Sequence, residues 1–191
     1  MASGQHIEKE PMSWARSILS IILMVAAVAA VTIALRTFVF VPYEIPSGSM
    51  EDTIMPGDMI FSEKITYHTR QPERGDIVTF KDPIVAGRTL IKRIIATGGQ
   101  TVDLIDGHVF VDGIELEEPY VGTDESRPLA KTAVGIDIEF PYTVPEGYVW
   151  VMGDNRESSQ DSRYFGAVPV SSITGRAAVV YWPIDEIGVL E

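Results

Sequence analysis

The sequence predicts a mainly β protein carried behind one N-terminal membrane-spanning helix. Three observations predict it. Residues 17–35 form an apolar run of 19 residues without a charge. Beyond Val41 the apolar residues come in short stretches rich in β-branched and aromatic side chains, and none of useful length repeats with a helical period of about 3.6. Tight-turn dipeptides punctuate those stretches, Asp106-Gly107 being the strongest.

The first element is the run SILSIILMVAAVAAVTIAL. Its length matches a bilayer core of about 30 Å crossed as a helix. Trp14 stands at one interface and residues 38–41 at the other. A helix apolar on every side has no place in the core of so small a protein. A removable leader has a shorter apolar stretch followed by small residues, and Arg36-Thr37-Phe38-Val39-Phe40 offers no such site. Lys9 and Arg16 precede the run and Arg36 follows it, so the positive-inside rule puts the N-terminus in the cytoplasm. The expected organisation is a short cytoplasmic segment (1–16), a transmembrane helix (17–41) and an extracytoplasmic β-rich domain (42–191).

Within that domain, strands are expected at 58–61, 76–80, 89–96, 101–105, 108–111, 114–116, 148–152 and 176–182. Asp106-Gly107 and Asp112-Gly113 close hairpins between neighbouring runs. Residues 122–146 are irregular and contain proline, which predicts a surface excursion.

Composition narrows the function classes. The chain has 191 residues, 46% of them hydrophobic, enough for one ordinary domain and an anchor. No internal repeat is present. Net charge is −12; residues 42–191 hold 12 basic and 25 acidic side chains, so the domain carries −13. Such a surface repels nucleic acid. Without a single cysteine there is neither a disulfide framework nor a thiolate metal site. No cofactor is expected, and a monomer is.

Familiar catalytic spacings are missing: there is no H-E-x-x-H, no G-x-S-x-G and no S-x-x-K. The three histidines do not suggest a base. His6 precedes the span, His108 sits in a short hairpin strand and His68 in a polar loop. A serine nucleophile here needs another base, and a neutral lysine amine serves if burial lowers its pKa from about 10.4. Lys92 lies inside the apolar strand TLIKRIIAT, where period-2 alternation puts Leu90, Ile94 and Ala96 on its face. The same local pattern fits an edge-strand lysine that blocks aggregation, with Arg93 as its companion. A third cluster, GDNRESSQDSRYFG at 153–166, carries Asp154, Arg156, Asp161 and Arg163. It reads either as a turn with internal ion pairs or as a scaffold supporting a site. Arg156 and Ser158 stand where a calcium loop needs acidic ligands.

These pieces together resemble a known family. PSGSM at 46–50, then RGD at 74–76, IKR at 91–93, GDNR at 153–156 and DSR at 161–163, in that order behind an N-terminal span, look like bacterial type I signal peptidase. The resemblance runs from the span to about Trp182. It implies a β-rich domain with an apolar, membrane-facing surface, which removes signal peptides from exported preproteins. Ser49 matches the nucleophile and Lys92 the general base. The Ser49 backbone N–H and the Ser47 hydroxyl match the oxyanion hole. Ser159 matches a serine that orients the lysine, Asp161 and Arg163 a supporting ion pair, and Asp154 and Arg156 the same box. Tyr43, Ile45, Pro46, Leu90 and Ile91 fall where the family lines shallow pockets for small side chains. The chain departs from the family at two places: Glu51-Asp52 follows Ser49-Met50 where many members have a proline, and IIATGGQ replaces the common GLPGD after the lysine.

The distance from span to nucleophile fits that reading. Val41 and Ser49 are eight residues apart, at most about 26–29 Å of extended chain. A substrate still embedded in the bilayer needs a nucleophile at that height. Met50, Ile54 and Met55 are expected to help the loop touch lipid, and Gly48 to let the backbone bring two donors to one point. Two alternatives share the sequence: an inactive, anchored β domain that binds exported chains, and a peptidase dedicated to one special substrate.

Overall fold

The computed structural model describes residues 14–190. The expected cytoplasmic segment, with His6 and Lys9, lies almost wholly outside them. The chain divides into two units, residues 1–38 and 39–191.

The first unit is helix α1 (Trp14–Phe38). Within it, 16–34 is long and apolar enough to cross a membrane, and none of that stretch is buried. Ser20 donates back to the carbonyls of Arg16 and Ser17, and Thr32 to that of Val28, so these two polar side chains of the run are satisfied within the helix.

In the second unit the chain enters strand β1 (Phe40–Glu44), whose first two residues fall in the stretch expected to belong to the span. It continues through β2 (Met59–Glu63), the single turn α2 (Thr66–Thr69), β3 (Ile77–Lys81) and β4 (Thr89–Thr97). Next come β5 (Thr101–Ile105), β6 (His108–Val111), β7 (Ile114–Glu115), β8 (Tyr142–Thr143) and β9 (Tyr148–Met152). The turn α3 (Ser162–Phe165), β10 (Val168–Pro169), β11 (Ile173–Trp182) and β12 (Gly188–Val189) complete the chain. Among the described residues the strands form two antiparallel sheets. The larger runs β1-β2-β11-β3-β4-β9-β10, with β12 on β11; the smaller runs β7-β6-β5-β8. Asp106-Gly107 takes positive φ at both residues (52° and 88°), the conformation that a two-residue hairpin loop requires.

Strand β4 carries Lys92 and Arg93 into the interior. It lies between β3 and β9, inside the larger sheet, and is buried without a break from Ile91 to Ala96. The edge-strand reading of Lys92 therefore fails. Leu90 and Ile94 pack with Val78, Phe80 and Phe165, as alternation expects. Ala96 joins a different cluster, around Trp150, because the pairing with β9 shifts register between Ile94 and Ala96. A third cluster, with Ile45, Ile60, Ile77 and Ile91, includes Met50 and Ile54 at 0% exposure. Those two residues are core, not lipid contacts, and only Met55 of the three is exposed. The burial follows from the loop's turns, where Ile54 N–H donates to the Met50 carbonyl and fixes one turn facing inward.

Candidate active site

The loop between β1 and β2 carries Ser47 and Ser49. Both its ends are tied: Ile45 N–H donates to the Asp58 carbonyl at 2.9 Å, and Gly57 N–H to the Ile45 carbonyl at 2.8 Å. Met50 and Ile54 anchor its apolar side in the core. Ser49 is thereby held at 9% exposure while Ser47 stays exposed. At the first departure from the family pattern, the Glu51 carboxylate accepts from the Asn155 side-chain amide at 3.0 Å. The loop is thus fastened to the GDNR segment.

Lys92 is brought to this loop by β4. Its Nζ lies 2.5 Å from Ser49 Oγ and donates to the Ile91 carbonyl at 2.9 Å. At 2% exposure the ammonium form is poorly solvated, and burial lowers its pKa to about 8. The Asp161 and Asp154 carboxylates pull the other way, and Arg163 and Arg88 reinforce the depression. Burial is the larger effect, which makes the amine a base near neutrality.

The acidic–basic cluster is only in part a turn with internal pairs. Asp161 and Arg163 do pair internally, through two bonds of 2.9 Å. Asp161 also accepts from Gly153 N–H at 3.1 Å and caps α3 through Arg163 N–H. Burial pushes the Asp161 carboxyl up, but Arg163 and these hydrogen bonds outweigh it and hold it below the usual carboxylate range. Asp154 reaches out of the cluster to Arg93 on β4, at 2.8 and 3.0 Å, and accepts from Thr53 at 2.6 Å. Arg156 reaches Glu118, at 2.6 and 2.9 Å, and Ser126 at 2.5 Å. The Arg93 guanidinium also lies over the Tyr120 ring, 3.9 Å from its centre. Asp76 of the RGD segment is a hub of its own, taking two bonds from Arg70 and one each from Tyr67 and Arg176. The carbonyl of Gly75 accepts from Arg93 at 3.1 Å and joins that hub to the site.

Ser159 is buried beside Gly153. Among the described residues its Oγ makes no hydrogen bond of full geometry, although it stands close enough to Asp161 to help hold that carboxyl down, and the Lys92 amine turns to the Ile91 carbonyl. A Cβ on Gly153 would stand 2.3 Å from both Ser159 Oγ and the Ser49 carbonyl oxygen. Glycine is required there by space, since the nucleophile's own backbone presses on it.

The sequence points to Ser47, Ser49, Lys92 and Ser159, and the structure brings all four to one place. Ser47, Ser49 and Lys92 line one cavity of about 510 Å³. Tyr43, Ile45, Pro46, Leu90 and Ile91 line a neighbouring cavity of about 40 Å³. The sequence assigns no site role to Thr53, Glu118, Tyr120 or Gly153, and marks Arg93 only as the companion of Lys92 on an edge strand. Arg93 and Gly153 stood inside quoted motifs, where a role was readable; nothing local marks Glu118, which is 38 residues from its partner. Among the described residues no group of histidine, aspartate and glutamate is placed to hold a metal ion.

A serine hydroxyl against a buried, readily deprotonated amine is an arrangement that can perform nucleophilic catalysis with the lysine as base. Comparison with known proteins is more specific. Residues 14–182 match the family of signal peptidase, peptidase S26, and the chain belongs to that family. It is 40% identical over 172 residues to a probable signal peptidase I-2 of Synechocystis sp., covering 87% of this chain and 74% of that protein. It is 37% identical to thylakoidal processing peptidase 1 of Arabidopsis thaliana, covering 85% of this chain and 48% of that protein. A crystal structure of a signal peptidase I from Enterococcus faecalis V583 matches at 34% identity and a TM-score of 0.46, over 56% of this chain and 97% of that one.

Proposed function

We propose that the protein is a membrane-anchored serine endopeptidase that removes signal peptides from exported preproteins, with Ser49 as nucleophile and Lys92 as general base. Family membership supports the activity, since relatives carry the names signal peptidase I and thylakoidal processing peptidase. The observation that carries the assignment of residues is the 2.5 Å approach of Lys92 Nζ to Ser49 Oγ in a buried setting. Neutral Lys92 takes the Ser49 proton as Oγ attacks the scissile carbonyl. The oxyanion so formed accepts from Ser49 N–H and the Ser47 hydroxyl. The Lys92 ammonium then returns the proton to the departing amine, leaving an ester on Ser49. Water, deprotonated by Lys92, attacks the ester and releases the second product. Asp161–Arg163 and Asp154–Arg93 are scaffold pairs: they fix the segment that presses on the nucleophile loop. Ser159 shapes the amine's surroundings. The small cavity at Tyr43, Ile45, Pro46, Leu90 and Ile91 takes small side chains upstream of the cut.

In this reading α1 is the anchor, the N-terminus is cytoplasmic, and the catalytic unit works as a monomer on the extracytoplasmic side, at the lipid surface from which the substrate emerges. The test is cleavage of a preprotein with an A-x-A site by the detergent-solubilised chain, alongside Ser49→Ala. The parent is expected to cut once and the variant to lose activity by several orders of magnitude. Equal cleavage by both sinks the serine mechanism.

A further inference from the structure

Three adjoining cavities lie in the catalytic unit. The middle one holds Ser49 and Lys92. The small upstream cavity shares Leu90 with it. A trough of about 570 Å³ shares Ser158, Gln160 and Tyr164 with the middle one. One wall of this trough is the stretch 129–132, from the excursion to which the sequence alone assigns no role. That wall is pinned on both sides: the Arg127 carbonyl accepts from Arg163 at 3.2 Å, and Ala133 N–H donates to the Tyr164 carbonyl at 2.8 Å. It carries Lys131, an exposed lysine without an ion-pair partner among the described residues. Glu157 stands in the same trough, on the segment that follows β9.

For an extended peptide that has its upstream side chains at Leu90 and passes over Ser49, this trough is the other cavity adjoining the middle one. We propose that the 129–132 trough holds the polypeptide just downstream of the cut, and that Lys131 selects an acidic side chain there. This rests on Ser49 being the nucleophile. Successive side chains of an extended chain point to opposite sides, so a residue facing Lys131 faces away from its neighbours' wall. A cation without an ion-pair partner among the described residues, lining this trough in a chain of net charge −12, is open to a carboxylate brought by the substrate.

The experiment uses the full chain in detergent and a set of A-x-A peptides. They differ only in carrying aspartate or lysine at one of the second to fifth positions after the cut. The readout is the ratio of kcat/KM for the aspartate and lysine peptides at each position. In the parent this ratio should exceed one at one position or more. Lys131→Glu should reverse it there, by about three- to ten-fold overall, the size expected for exposed charge pairs, and Lys131→Gln should bring it close to one. Raising the salt concentration should shrink the effect. Ratios unchanged at every position in both variants overturn the proposal. A parent that cuts none of the peptides overturns instead the catalytic reading beneath it.

Discussion

Replacing Lys92 by methionine separates chemistry from stability. The lysine pKa falls from 10.5 to about 8 in the fold. At pH 7 both states bind the proton, and the folded state holds it at a disadvantage of about 3 kcal/mol, at about 1.4 kcal/mol for each unit of pKa. Between pH 8 and 10.5 the unfolded chain binds more protons than the folded one, so stability rises with pH across that window and the penalty vanishes above it. Methionine keeps the length and has no charge to desolvate, but it leaves the Ile91 carbonyl without its donor, at about 1 kcal/mol. Lys92→Met should therefore be about 2 kcal/mol more stable than the parent at pH 7 and about 1 kcal/mol less stable near pH 11, with the difference changing sign about pH 10. The assay is paired: denaturant midpoints of both full-length proteins in detergent, and hydrolysis of an A-x-A peptide, from pH 6 to 11. Parent kcat/KM should climb through about pH 8 as the amine deprotonates, and the variant should be inactive throughout. An active Lys92→Met excludes the dyad. A variant less stable than the parent by the same amount at every pH shows that the amine is not held against a desolvation penalty, and refutes the reasoning.

Three further outcomes stem from the packing. Gly153→Ala places a Cβ 2.3 Å from the Ser49 carbonyl oxygen. It should cost about 1–3 kcal/mol in stability and about 100-fold in rate through displacement of the nucleophile; a folded variant with the parent's rate contradicts this. Asp154→Ala strips the buried Arg93 guanidinium of its carboxylate and should lower stability by about 3–5 kcal/mol, read as a shift in the urea midpoint. In the substrate, alanine replaced by leucine immediately before the cut should reduce kcat/KM by more than about 100-fold, each extra methylene weighing about 1–3 kcal/mol against a cavity with no room for it. Efficient cleavage after leucine would count against the shallow pocket.

Much of the larger sheet was legible because its strands are short, β-branched and bounded by turn residues. The strands missed are those with the weakest local signal: β8, β10 and β12, two residues each, and β1, whose apolar residues merged with those of the helix before it. Met50 and Ile54 were misplaced for a related reason. In a loop, apolar character says that a side chain leaves water, but not whether it enters the core or a bilayer, and the turn at Met50–Ile54 decided for the core.

By itself the sequence determined the class of element along most of the chain and the order of five motifs specific enough to mark a family, because periodicity, turn chemistry and motif order are local properties. Lys92 shows where local information ends. Its strand pattern fits an exposed edge as well as a buried base. Only the placement of β4 between β3 and β9, with Ser49 delivered by a distant loop, puts the amine out of water and 2.5 Å from a hydroxyl. Likewise Asp154 finds Arg93, and Arg156 finds Glu118, across sequence separations of 61 and 38 residues. The tertiary structure decides such pairings because burial makes each charge costly unless it meets a partner, and which partner is in reach depends on how the sheets pack.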